Sequence, residues 1–158
     1  MARPTRNASR ENALSSARTF FATTKTAAGR RLLQSERNAA LLIDVLRSYM
    51  TAGKFEVHDF VVMPDHLRVL LTVRGETTIE KAMQFIKGRF SFRLKHEYGY
   101  LGEVWQVGFS ESRADDPKSF EQHRAYIAKN PVKAGLAARP GEYAFCYEYL
   151  AEQKKRRG

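Results

Sequence analysis

Little in this chain would staple it covalently or place it in a membrane. Its 158 residues include one cysteine, Cys146. A lone thiol cannot close an intrachain disulfide, so a disulfide-built secreted scaffold is excluded and a reducing, cytoplasmic setting is expected. No apolar run approaches the ~20 residues that cross a bilayer, and the basic N-terminus lacks the apolar core of a secretion signal. Acidic residues are scarce against basic ones: 17 Asp+Glu face 27 Lys+Arg, for a net charge of +10 and a pI near 9.9. That imbalance points to a polyanionic partner, most simply nucleic acid, and no lipidation motif argues for a membrane surface instead. His58, His66, His96 and His123 are the only histidines, so any imidazole ligand for a metal comes from this set.

What is present reads as one globular domain. Hydrophobic residues make up 43% of the chain, enough for a real core at this length. Neither an internal repeat nor an interdomain linker interrupts it. Residues 17–150 form the expected domain, with a polar, basic and disordered segment at 1–16 and a basic, disordered tail at 151–158.

The hydrophobic periods set out the elements. Arg18 to Thr26, rich in aromatics and threonine, reads as a strand. Gln34 to Ala52 reads as a helix capped by Ser35, with Ala39, Leu42, Ile43, Leu46 and Tyr49 on one face and Gly53 at its end. Two further strands, Phe55 to Val62 and Leu67 to Val73, are joined by a tight turn at Met63-Pro64-Asp65. Thr77-Thr78-Ile79-Glu80 is a capping box opening a second helix, whose stripe is Ile79, Ala82, Met83, Ile86 and Phe90. Glu103 to Phe109 reads as short and extended. Asp116-Pro117 starts a third helix, which ends near Asn130 because Pro131 disfavours helical geometry in the residue before it. Strand, helix, strand, strand, helix, strand and a further helix is the split βαβ order. The expected fold is α+β: a ferredoxin-like antiparallel sheet with helices on one face, plus an additional C-terminal helix that bears Tyr126.

The chemistry concentrates in FVVMPDHLRVLLTV, residues 60–73. In a strand, residues i and i+2 point to the same face, so His66 and Arg68 project side by side. Two histidines at these positions would form half of a metal site. Arginine is permanently charged, offers no acceptor and cannot bind a cation. On the third helix, His123, Tyr126 and Asn130 share a stripe at i, i+3 and i+7.

Ala125 to Leu136, AYIAKNPVKAGL, resembles the tyrosine helix of the REP-associated tyrosine transposases, which belong to the HUH single-strand DNA endonucleases of the insertion-sequence type. FVVMPDHLRVLL resembles their metal-binding strand, GEVWQVGFSESR their connector and RPGEY the tail after the tyrosine helix. The likeness runs in order from about Arg18 to Tyr143. It implies that strand histidines bind Mg²⁺ or Mn²⁺, that the ion activates a phosphate of single-stranded DNA, and that the tyrosine attacks to leave a 5′-phosphotyrosine and a free 3′-OH. Carried over, His66 is the first metal ligand, Tyr126 the nucleophile and Asn130 the third ligand, while Arg68 stands where the second histidine belongs. A second departure lies in the connector, where Ser112 of FSESR occupies a position that is often histidine.

The expected function is therefore binding of single-stranded or hairpin DNA with strand cleavage and transfer through Tyr126, impaired by Arg68. Arg68 is also a candidate phosphate contact, joined by Lys87, Arg89 and Arg93 on the basic second helix. Trp105 and Tyr100 are candidates for stacking on unpaired bases, and His58 for a substitute metal ligand. One alternative is a hairpin-binding protein that no longer cuts. Another is a basic RNA-binding module using Phe20, Phe21 and Phe60 as stacking platforms, although no RNP1-like string occurs. Both monomer and homodimer are compatible with the resemblance.

Overall fold

A computed structural model describes residues 17–157, so the expectation for residues 1–16 lies outside the described residues. Four strands, β1 (Ala17–Lys25), β2 (Glu56–Met63), β3 (His66–Arg74) and β4 (Ser110–Arg113), form one sheet in the order β2-β3-β1-β4, antiparallel throughout. Helices α1 (Glu36–Thr51) and α2 (Ile79–Tyr98) follow β1 and β3, and α3 (Pro117–Lys133) and α4 (Tyr147–Arg157) complete the chain. This is the ferredoxin-like arrangement in an α+β domain.

Strand parity divides the interior in two. Leu67, Val69, Leu71 and Val73 of β3 enter the main core with α1 and α2, through Leu42, Leu46, Met83, Ile86 and Phe90. Leu70 points the other way, into a smaller cluster with Val61, Met63, Ala114, Ile127 and Cys146. Apolar side chains on both faces explain why β3 reads as an almost unbroken hydrophobic run. Helices α1 and α2 thus cover one face, and the tyrosine-bearing α3 lies on the opposite one.

Local chemistry sets the element ends. Ser35 accepts from Asn38 N–H, as its position suggested. At α2 the cap is Thr78, which accepts from Lys81 N–H, one residue later than the Thr77 box. The left-handed Gly99, at φ 65°, closes α2. Helix α3 passes through Pro131 and ends at Lys133, beyond the expected stop at Asn130. The proline removes one N–H donor, but Pro131 and Ile127 are the two buried residues of this helix, and Ile127 packs on the sheet with Val61, Met63 and Leu70.

Two readings are corrected. The fourth strand is Ser110–Arg113, and the stretch at Glu103–Phe109 makes only a single bridge, Trp105 to Thr26. β4 is a short, exposed, polar edge strand, so no apolar alternation marks it. The basic tail at 151–158 is helical through Arg157. Tyr147 sets its ring edge-on against Phe60, and Leu150 packs on the main core. Those apolar contacts hold a segment whose charge suggested a solvated end.

A β-bulge at His58 shifts the register between Val57 and Asp59. Beyond it Asp59 is buried, within 3.7 Å of Arg124 on α3. Burial pushes its carboxyl pKa up from 3.8 to about 6. The folded state thus holds this proton more tightly than the unfolded chain. The associated stability is fully present below pH 3.8 and is lost as pH rises through about 6. Asp59→Asn is expected to stabilise the protein at pH 7.5 by about 3 kcal/mol, at ~1.4 kcal/mol per pKa unit, and to lose that advantage at pH 4. Urea unfolding at the two pH values measures this. A variant less stable than wild type at pH 7.5 would show that the Arg124 pair outweighs the burial cost.

Candidate functional site

The register of the sheet assembles the site. Thr23 lies opposite Arg68, Lys25 opposite His66 and Phe21 opposite Leu70 on β1 and β3. With alternate residues on one face, Phe21, Thr23, Lys25, His66 and Arg68 line the surface that α3 covers. Helix α3 brings His123, Tyr126 and Asn130 down to it. The ring of His123 stacks on Phe21 at 4.6 Å, and Tyr126 meets Phe21 edge-on at 6.0 Å.

Arg68 is the hub. Its Nε–H donates to Asn130 Oδ1 at 2.8 Å, and Nη1 donates to Thr23 Oγ1 at 3.1 Å. The guanidinium carbon sits 4.9 Å from the centre of the Tyr126 ring, a cation–π contact. Among the described residues no carboxylate pairs with this half-buried cation. The Tyr126 ring it lies over is 45% accessible. A partly desolvated guanidinium without a counter-charge favours an anion beside it.

His66 is 16% exposed in its side chain. Its Nδ1 lies 2.7 Å from Asp65 Oδ1. An ionised carboxylate can only accept, so Nδ1–H donates to it, and in the neutral ring Nε2 is then the acceptor. That Nε2 is buried without a hydrogen-bond partner. The Pro64-Asp65 turn that aims it is pinned from outside the hairpin: Thr26 N–H donates to Asp65 O and Leu33 N–H to Pro64 O.

His66 has the form of a metal ligand, but its neighbours do not complete a site. Arg68 brings a positive charge to the second position, and the Asn130 oxygen already accepts from Arg68. Among the described residues, no group of three or more His, Cys, Asp or Glu side chains could hold an ion. One imidazole beside a fixed cation does not fit Mg²⁺ or Mn²⁺, which need several anionic or neutral oxygen donors.

The other candidates lie elsewhere. Helix α2, with Lys87, Arg89 and Arg93, is on the far face of the sheet from Tyr126. Lys87 Nζ donates to Gln106 O and Gly108 O, and its burial lowers its pKa. Arg93 bridges Asp44 and Glu97. Arg89 lies over Phe92 on the outer surface. Trp105 donates to Lys87 O and packs against Phe90, and Tyr100 also rests on the main core. His58 bonds Thr72 Oγ1 at 2.6 Å beside Phe120, within the sheet and α3 packing. Phe20 and Phe60 are buried, and Phe21 lies under His123 and Tyr126. Ser112 Oγ stands 3.4 Å from His123 Nε2. Sequence reading missed Thr23 and Lys25. Their only signal was strand parity on β1, which has no meaning until its pairing with β3 is known.

Sheet order, a tyrosine on a helix across the third strand, and a histidine beside it together define an HUH-type transposase core. Residues 22–130 match the family model described as "Transposase IS200 like", and the chain belongs to that family. Within it, the chain is similar to the REP-associated tyrosine transposase of Escherichia coli K12, at 30% identity over 92 residues, 58% of this chain and 53% of that protein. It thus spans about half the length of that relative. A solved REP-associated tyrosine transposase bound to a REP hairpin superposes with a TM-score of 0.65 at 27% identity, covering 82% of this chain and 75% of that one. No helix among the described residues is long and apolar enough to cross a membrane.

Proposed function

We propose that this protein binds single-stranded or hairpin DNA by seating a backbone phosphate on Arg68 beside Tyr126, and that strand cleavage through Tyr126 is impaired or lost. The observation that carries this reading is the Arg68 guanidinium, held by Asn130 and Thr23 with no carboxylate paired to it among the described residues. The solved relative with its REP hairpin supports the ligand class, and the net charge of +10 supports a polyanion.

The side chains divide the work. Asn130 and Thr23 fix the plane of the guanidinium. Arg68 then meets phosphate oxygens with two parallel N–H donors, a geometry that Lys cannot reproduce. Tyr126, with its ring 4.9 Å from the guanidinium carbon, is 45% exposed. A phenol is a weak nucleophile at neutral pH and needs its charge stabilised as it attacks. Arg68 supplies one fixed positive charge, which suits holding a phosphate better than breaking it. In this reading Mg²⁺ or Mn²⁺ binds weakly or not at all.

Fluorescence anisotropy with a labelled DNA hairpin carrying a single-stranded flank, against a duplex of matched composition, tests the binding. The hairpin is expected to bind tighter. Its affinity should fall steeply with salt, by a log–log slope of about 0.7–0.9 per phosphate neutralised. Equal affinity for duplex and hairpin would contradict the reading, and equal affinity for the matched RNA hairpin would favour an RNA-binding module.

A further inference from the structure

The outer surface of α1 and α2, on the far side of the sheet from Tyr126, carries an aromatic notch of about 400 Å³ lined by Tyr49, Lys81, Phe85, Gly88, Arg89 and Phe92 among others. Two of these residues do nothing for the fold. Gly88 stands in the interior of α2, where glycine is the weakest helix former after proline. A Cβ at Gly88 would meet nothing within 4 Å, so alanine would fit there. One turn further on, Phe92 is 57% exposed. The open space over Gly88 and the bare ring beside it belong to one surface.

The rings around the notch already cover one another. Tyr49 stacks on Phe85 at 5.0 Å and His96 on Phe92 at 5.4 Å, with interplanar angles of 11° and 9°. What they leave open suits a compact apolar side chain better than the flat face of a base. The rim is cationic. Arg93 takes up Asp44 and Glu97, and among the described residues no carboxylate pairs with Lys81 or Arg89. A second copy of the chain would bring these same cations together, on a molecule of net charge +10.

We propose that this notch docks an acidic segment of a partner protein, with one bulky apolar side chain seated over Gly88 and carboxylates against Lys81 and Arg89. The missing side chain at position 88 gives the anchor its depth, and Phe85 and Phe92 give it walls. The two unpaired cations favour acidic segments and repel basic ones. An amphipathic helix that presents one apolar residue flanked by Asp or Glu has this form. The notch and Arg68 lie on opposite faces of the sheet. DNA on Arg68 and a partner at Gly88 can therefore be held at once, and neither reading depends on the other.

The probe is a short labelled helical peptide of alanine and glutamate with one central phenylalanine, titrated by anisotropy into the full-length chain. Wild type is expected to bind it about tenfold tighter than the same peptide with alanine at the centre, the lower end of what burying a large apolar side chain contributes. Gly88→Leu fills the notch without changing the charge. It should abolish that preference and leave the affinity for hairpin DNA unchanged. It should also raise the melting temperature by about 2 °C, because leucine is the better helix former. Arg89→Glu should weaken binding of the glutamate peptide and strengthen binding of a lysine counterpart. A preference for phenylalanine that survives Gly88→Leu, or no binding of the glutamate peptide by wild type, overturns the docking site and leaves the reading of Arg68 untouched. Binding of unstructured single-stranded DNA that Gly88→Leu removes would overturn it in favour of nucleic acid on this face, and a dimer that Gly88→Leu dissociates would overturn it in favour of a second copy.

Discussion

Arg68→His is expected to turn a chain with little or no strand-cleaving activity into one that forms a covalent adduct with hairpin DNA in Mn²⁺. Three changes act together. The introduced imidazole points to the face occupied by His66 Nε2, because positions 66 and 68 share strand parity. The fixed positive charge disappears. Asn130 Oδ1, now engaged by Arg68 at 2.8 Å, becomes free to accept or to coordinate. Loss of an outer-shell partner alone costs a metal site 10–100-fold, so regaining a direct ligand should raise adduct yield by at least ~100-fold. Tyr126→Phe in the same background should abolish the adduct, since only the phenol oxygen can attack. A slow-migrating labelled band on a denaturing gel reports both results. If Arg68→His leaves the yield at background, the defect lies elsewhere, and Ser112 beside His123 is then the next position to change.

The second large effect is on affinity. Arg68→Ala should weaken hairpin binding by roughly 30-fold, the lower end of the cost of truncating one member of a hydrogen-bonded charge pair, because the cleft is only partly buried. Arg68→Lys keeps the charge and loses the planar fork, as well as the simultaneous bonds to Asn130 and Thr23. Its affinity should fall between wild type and Arg68→Ala. Unchanged affinity in Arg68→Ala, with wild-type unfolding behaviour, would remove Arg68 from the DNA contact surface.

The central geometry was legible before any coordinates. Strand parity put His66 and Arg68 on one face, helical spacing put Tyr126 above Asn130, and the structure joins the two sets through Arg68. The first three strands and two helices carry strong hydrophobic periods, and they appear within a few residues of their expected ends. The remainder depended on information that a local pattern does not contain. β4 is polar on both faces and exists because β1 offers it a free edge. Helix α4 is anchored by Tyr147 and Leu150, and its charged remainder hides that anchor. Lys87 and Arg93 look like free charges in the sequence, yet the connector carbonyls occupy one and Asp44 and Glu97 the other. Thr23 and Lys25 matter only through register across the sheet.

The measurement that bears most directly on the account is the affinity of the wild-type chain for a labelled hairpin, titrated once in EDTA and once in Mn²⁺, with each sample then run on a denaturing gel. A guanidinium phosphate seat predicts the same Kd in both titrations and no covalent band. Binding that requires Mn²⁺, together with an adduct that vanishes in Tyr126→Phe, would contradict it and show that Arg68 is compatible with a working metal site.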